Sequence, residues 1–257
     1  MSTALYDRVI FGPIHSRRLG LSLGVNLLPL DHKLCSFDCI YCECGWGEKR
    51  EKVRFNDRET VRRELERKLT EMVEAGTPPD VITFAGNGEP TLHPDFGEII
   101  EDTIALRDRI APRAKVSVLS NATQIGRERV RAALLRVDNN ILKLDSAFDR
   151  TVRLVDRPRG NYSVAETVEN MKKFEGQLIV QTMFLRGEFD GKIVDNTTEE
   201  EVSAWLALIR EIAPRQVMVY TIDRSTPAEN LQKVTVEELK AIAARVEALG
   251  ITCSVAG

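Results

Sequence analysis

The chain has 257 residues, 43% hydrophobic and 29% charged, with a formal net charge of −3. That length suits one large α/β domain that buries a core without covalent staples. The slightly acidic balance excludes a global electrostatic grip on nucleic acid and leaves only a local basic patch to serve that purpose.

Residues 1–23 read as an N-terminal extension, and 24–257 as the body of a single domain. The opening MSTALYDRVIFGP has no apolar run after a basic start, and no stretch approaches the roughly 20 apolar residues of a membrane span. The expectation is a cytoplasmic protein without a signal peptide. In that compartment clustered cysteines serve as metal ligands or reactive thiols rather than as disulfides.

The first predicted strand is 24–29, followed by Cys35, Cys39, Cys42 and Cys44. From Asp57, apolar residues recur at Val61, Leu65, Leu69, Met72 and Val73, until Gly76 and Pro78 end the helix. A strand over 81–85 leads into Gly86-Asn87-Gly88-Glu89-Pro90, and Pro94 opens a helix through Phe96, Ile99, Ile100 and Ile104. Strands over 115–120 and 141–146 follow. Ser163 and Glu166 then suggest a capping box before Val164, Val168 and Met171. A strand over 178–185 precedes a helix from Thr198 with Val202, Trp205, Ile209 and Ile212 inward. The strand over 216–222 is followed by a second capping box at Thr235 and Glu238, and 251–255 is the last short strand.

Most of these strands are continuous apolar runs, as parallel strands covered on both faces require. Six β-α units and a terminal strand, joined by right-handed crossovers, fall short of the eight that close a barrel. The fold expected is α/β: a partial (β/α)6 barrel with parallel strands and outer helices, with a doubly wound sheet as the alternative. Either arrangement puts the polar strand ends on one mouth. Asn121 follows the strand over 115–120, Lys143 and Asp145 lie in the strand over 141–146, and Arg157 and Arg159 come after it.

Cys35, Cys39 and Cys42 are spaced C-x3-C-x2-C. Three thiolates on a short loop can hold three irons of a cubane and leave the fourth without a protein thiolate, unlike the four-cysteine sites of electron carriers. Cys44 could instead complete a four-thiolate zinc site, although the spacing is not that of paired zinc knuckles. Cys44 otherwise reads as a bystander, and Cys253 as a small hydrophobe in the last strand.

With Tyr41, these cysteines form C-x3-C-x-aromatic-C, which resembles the radical S-adenosylmethionine (SAM) superfamily. The glycine-rich turn Gly86-Asn87-Gly88-Glu89 is similar to that family's G-G-E stretch, with Asn87 inserted. The resemblance implies one 4Fe–4S cluster on Cys35, Cys39 and Cys42, whose open iron is chelated by the methionine end of SAM. It also implies reductive cleavage to a 5′-deoxyadenosyl radical that abstracts hydrogen, with a flavodoxin- or ferredoxin-type electron donor. Tyr41, Gly86, Asn87, Gly88, Glu89 and Asn121 become candidate SAM contacts. Lys143 and Asp145 become candidate catalytic residues, and Arg17, Arg18, Arg157 and Arg159 candidate substrate contacts through bidentate forks.

Ser16-Arg17-Arg18-Leu19-Gly20, Leu144-Asp145 and the run from Tyr220 to Pro227 resemble the wyosine-related branch of the superfamily. The chain lacks that branch's second-cluster cysteines, having none before Cys35. The substrates implied are a tRNA base or nucleotide, or, as in protein-activating relatives, a polypeptide backbone. A zinc- or cluster-bound interaction module is the non-enzymatic alternative.

Overall fold

The computed structural model describes residues 5–16, 19–48 and 53–257. Arg17 and Arg18, two of the four arginines singled out above, lie outside the described residues. Eleven strands and seven α-helices follow one another among the described residues.

The main sheet begins with β1 (Ile10–Ser16) antiparallel to β2 (Gly20–Val25). From β2 onward every pairing in this sheet is parallel. The order continues through β3 (Val81–Phe84), β4 (Lys115–Ser120), β5 (Asn139–Lys143) and β6 (Ile179–Met183). It ends with β9 (Gln216–Tyr220) and β11 (Thr252–Ala256). Each crossover carries helix: α1 (Arg58–Glu74), α2 (Phe96–Ile110), α3 (Glu128–Leu134), α4 (Asp149–Val155) with α5 (Val164–Lys172), α6 (Glu199–Ile212) and α7 (Val236–Glu247). Six β-α units and a terminal strand thus form a curled half-barrel with helices outside, as the alternation of patterns required.

The helices seat their apolar stripes on the sheet. Leu65 and Leu69 of α1, Ile100 of α2 and Leu239 of α7 are wholly buried in one core with Val116, Val118 and Val217 of the strands. Trp205 of α6 is buried too, and its indole N–H donates to the Leu144 carbonyl at 3.2 Å. Asp57 and Thr198 cap α1 and α6, and Thr235 with Glu238 makes a reciprocal capping box at α7. At α5, Ser163 accepts from the Glu166 amide.

The strand expected over 141–146 runs instead from Asn139 to Lys143, which leaves Asp145 beyond its end, and two other parts of the chain depart further from the sequence reading. The first parallel strand starts at Gly20 rather than 24 and ends at Val25, because Asn26 turns the chain by accepting from the Leu28 amide at 3.0 Å. The apolar run 178–185 breaks at Phe184, and the chain enters a second antiparallel sheet of β7 (Leu185–Phe189), β8 (Lys192–Asp195) and β10 (Leu231–Lys233).

Candidate active site

The segment after β2 carries the four clustered cysteines, and backbone attachments, among them the following, fix it over the barrel mouth. Leu34 forms a parallel bridge with the glycine turn: its amide donates to Asn87 O at 2.7 Å and its carbonyl accepts from the Glu89 amide at 3.0 Å. The Ile40 amide donates to Val155 O at 2.9 Å, docking the loop on the end of α4. The Arg159 amide donates to Ser36 O at 2.8 Å. The loop therefore owes its shape to β3 and α4, far away in sequence.

Gly88 permits the first attachment. At φ +139° a Cβ there would stand 1.7 Å from the Leu34 carbonyl oxygen. A Cβ on Gly86 would meet the Asn26 amide oxygen at 2.8 Å. Asn87, between them, is fully buried with its side chain donating to Tyr6 O at 2.9 Å and Pro29 O at 2.8 Å, while its oxygen accepts from the Tyr6 amide at 2.8 Å.

A cavity of about 960 Å³ opens at the strand ends. Cys35, Cys39, Cys42 and Cys44 line it with Tyr41, Gly86, Gly88, Glu89, Asn121 and Lys143. Asn87, Asp145, Arg157 and Arg159 are not among its lining residues. Arg157 stacks instead between Trp46 and Phe189, at 4.8 and 5.1 Å from the ring centroids. Arg159 donates to Gly47 O at 2.7 Å and lies 3.5 Å from Asp38, bracing the cysteine loop.

Glu89 lies under the glycine turn. It accepts from the Asn121 amide at 2.6 Å, from Ser120 at 2.9 Å and from both the amide and the hydroxyl of Thr91. Burial pushes its carboxyl up despite these donors. The Asn121 side chain donates to Ser36 at 2.9 Å and to the Cys35 sulfur at 3.4 Å.

Tyr41 is the hub of a buried network. Its hydroxyl donates to Asp145 and approaches Asp156 at 3.1 Å, and it accepts from Lys143. Lys143 is also 3.0 Å from Asp145, and the Cys39 thiol donates to Asp156 at 3.3 Å. Burial, then Asp145 and Asp156, raise Tyr41 well above the ordinary phenol. Burial opposes the Lys143 ammonium, but Asp145 and its other anionic neighbours outweigh burial and hold it firmly protonated.

The thiols are unequal. Burial and then Glu89 push Cys35 up to about 12, and burial and Asp156 raise Cys39. Cys42 is lowered to about 6 by a hydrogen bond from Cys44, against burial and with help from Lys33. The Cys44 sulfur also lies 3.1 Å from Gly86 O, so its single S–H proton is shared between Cys42 and the chain's own carbonyl. Among the described residues no group of three or more His, Cys, Asp or Glu converges as a single-ion site. Three soft thiols on one loop at a cavity wall match the donor set of an iron–sulfur cluster, whose thiolates bind separate irons.

Three further residues bear on this region. Lys33 is buried against the loop, Asp156 closes the Tyr41 network, and Arg224 pairs with Glu43 at 2.8 Å across the mouth. Lys33 stands two residues before Cys35, a position that a search for charges flanking the cysteines would have flagged. Asp156 and Glu43 carry no local pattern of their own.

A half-barrel with clustered thiols and a glycine turn at one mouth is the architecture of an α/β enzyme whose site lies at the strand ends. The chain belongs to the radical SAM superfamily, whose sequence pattern it matches over residues 32–197. It is 30% identical over 242 residues to a UPF0026 protein of Methanocaldococcus jannaschii, covering 92% of this chain and 70% of that one. It is also 30% identical over 240 residues to a Brachyspira hyodysenteriae protein named GTPase Obg. That match takes in 92% of this chain but spans only 33% of the length of the relative.

Among solved structures, a radical SAM methyltransferase from Sphaerobacter thermophilus superposes with a TM-score of 0.69 at 15% identity, over 91% of this chain and 65% of that one. TYW1 with a lysine-pyruvate adduct bound superposes at 0.60 and 14% identity, over 88% and 73%. These likenesses establish the fold. Among the described residues no helix is long and apolar enough to cross a membrane.

Proposed function

We propose that residues 1–257 form one radical SAM domain, acting in the cytoplasm, whose Cys35, Cys39 and Cys42 hold a 4Fe–4S cluster. When bound, the cluster and SAM supply one-electron cleavage of the sulfonium, giving a 5′-deoxyadenosyl radical for hydrogen abstraction. The observation that carries the reading is the meeting of those three thiols with the glycine turn and Asn121 on one cavity.

The chain's own groups have separable tasks. The Gly86 and Gly88 backbone and Asn121 face the cavity and orient SAM. Glu89 and Asn87 act beneath them: Glu89 ties the turn to the end of β4, and Asn87 ties it to the N-terminal segment. Tyr41, Lys143 and Asp145 form one hydrogen-bonded unit beside the cysteine loop, with Tyr41 and Lys143 lining the cavity and Asp145 behind them. A role for Lys143 as a free amine would first require breaking its pairing with Asp145. Arg157 and Arg159 shape the cysteine loop, whereas Arg224 lines the cavity paired with Glu43 and would meet an anionic substrate group by exchanging or sharing that partner.

The cavity volume lies at the upper end of the roughly 300–1,000 Å³ of small-molecule sites, with space for a reacting group beside the cofactor. We take that group to be a tRNA base or nucleotide. A flavodoxin- or ferredoxin-type donor would supply the electron.

Anaerobic reconstitution followed by dithionite and SAM tests the reading. The wild type is expected to yield 5′-deoxyadenosine and Cys39→Ala none, while Cys44→Ala keeps its iron. No product from a fully reconstituted wild type would overturn it. Comparing tRNA nucleosides by mass spectrometry between a deletion strain and its parent tests the substrate, and identical profiles would remove the nucleotide reading.

A further inference from the structure

Lys33 lies within this site and has no task in the reading above. Its side chain is 2% exposed. The ammonium donates to Gly45 O at 2.9 Å and to Asp38 Oδ1 at 3.2 Å. Asp38 is not its exclusive partner: the same carboxylate accepts from the Gly47 amide at 2.8 Å and lies 3.5 Å from Arg159. Two cations thus share one anion, and the group keeps a positive excess.

Burying an ammonium costs several kcal/mol unless anions answer it. The remaining groups that feel this charge most are Cys42, Cys35 and Cys39, and Lys33 lines the same cavity as all three. The residue is therefore placed where a cluster of thiolates would complete its charge balance.

Resting on the reading of those cysteines as cluster ligands, we propose that Lys33 is an electrostatic positioning residue whose buried charge eases the arrival of one electron at the iron–sulfur site. One electron comes from the external reductant. No bond to Lys33 forms or breaks, and its proton stays on Nζ. The Lys33 charge is shielded from solvent, so its attraction for the added negative charge is weakly screened and favours the reduced state. A loop brace alone would act through the Gly45 hydrogen bond and leave the potential unmoved.

The test uses the full chain, reconstituted anaerobically, as wild type, Lys33→Met, Lys33→Arg and Asp38→Asn. Iron and sulfide per chain are measured, and the midpoint potential is read by spin resonance during dithionite titration. Lys33→Met is expected to be at least tenfold harder to reduce, which is about 59 mV more negative for one electron. Lys33→Arg, which restores the charge, should stay within about threefold of wild type on the same scale. Asp38→Asn should shift in the positive direction.

A Lys33→Met protein with full iron content and the wild-type potential overturns the proposal. If Lys33→Met holds no iron, Asp38→Asn decides, and an unmoved or more negative potential there overturns it. A wild type that builds no cluster overturns the ligand reading itself, and with it this inference.

Discussion

At the scale of single residues, Gly88 carries the strictest steric demand in the site. A glycine was expected where backbone meets a ligand, and the sequence could show the need for glycine without showing its partner. The partner is the Leu34 carbonyl, 54 residues earlier in the chain. Gly88→Ala must push the cysteine loop off the β3 end, at a cost of about 3 kcal/mol or more. For a chain this size that lowers Tm by about 6–12 °C. Gly97→Ala, in the first turn of α2 with no neighbour closer than 4.0 Å, is the control and should be neutral or stabilising by up to about 1 kcal/mol. An unchanged Tm for Gly88→Ala would mean that the Leu34 bridge retreats freely. His93 makes a second demand. One ring nitrogen contacts Asn56 O at 2.9 Å and the other accepts from the Asp95 amide at 3.0 Å, so only the neutral ring satisfies both. Burial accordingly lowers it from the ordinary 6.5. As pH falls the unfolded chain takes up this proton first, so the contribution is full above 6.5 and is lost as pH falls through the folded value. The stability difference between wild type and His93→Gln, followed by urea unfolding, should therefore shrink between about pH 8 and about pH 5.5. A difference independent of pH would show that the ring is not held neutral.

At the scale of elements, legibility followed burial. The strand expected over 115–120 is β4 to the residue, because both its faces are covered and its apolar run is continuous. The small sheet escaped notice because its strands are short and partly exposed, with Ile193 at 84%. It nevertheless had a local signature. Asp190 and Gly191 both have positive φ and join the paired Phe189 and Lys192, a two-residue turn of the kind that Asp-Gly favours in hairpins. The β1–β2 hairpin was obscured by Gly12-Pro13, where the register shifts between Phe11 and Ile14. The segment leading into β1 is tied down by Asn87, a residue that in sequence looks like an insertion in a cofactor turn. Asn87→Asp keeps the oxygen that meets the Tyr6 amide but deletes the donor to Tyr6 O and Pro29 O. It also puts an unanswered charge in a fully buried position. The expected loss is about 2–4 kcal/mol. In hydrogen exchange, protection of the segment leading into β1 should fall before that of β4. Uniform loss across both would make Asn87 a general core residue rather than a tether.

At the scale of the whole molecule, the site is assembled from segments that no local pattern connects. Tyr41 meets Lys143, Asp145 and Asp156 across 102 to 115 residues of chain. Strand order brings them together, since β5 delivers Lys143 to the mouth over which the cysteine loop docks on α4. The cysteines were therefore legible as a motif, while the network behind them was not. On the proposed reading, the same assembly should make the fold respond to cluster and SAM. A loop that closes on β3 and α4 by backbone bonds, with Lys33 buried in it, should be more stable when anionic ligands fill the space it borders. Any ligand that binds the folded chain alone adds RT ln(1 + [L]/Kd), which is about 2.7 kcal/mol at a hundredfold excess over Kd. For reconstituted protein given SAM at that excess, Tm should rise by about 5–10 °C over the same protein without SAM. On the proposed reading Cys39→Ala should show no such rise, because the cluster that would hold the methionine end of SAM would be incomplete. A SAM-dependent rise that survives in Cys39→Ala would put the binding energy in the glycine turn and Asn121 alone, and would separate SAM recognition from the cluster.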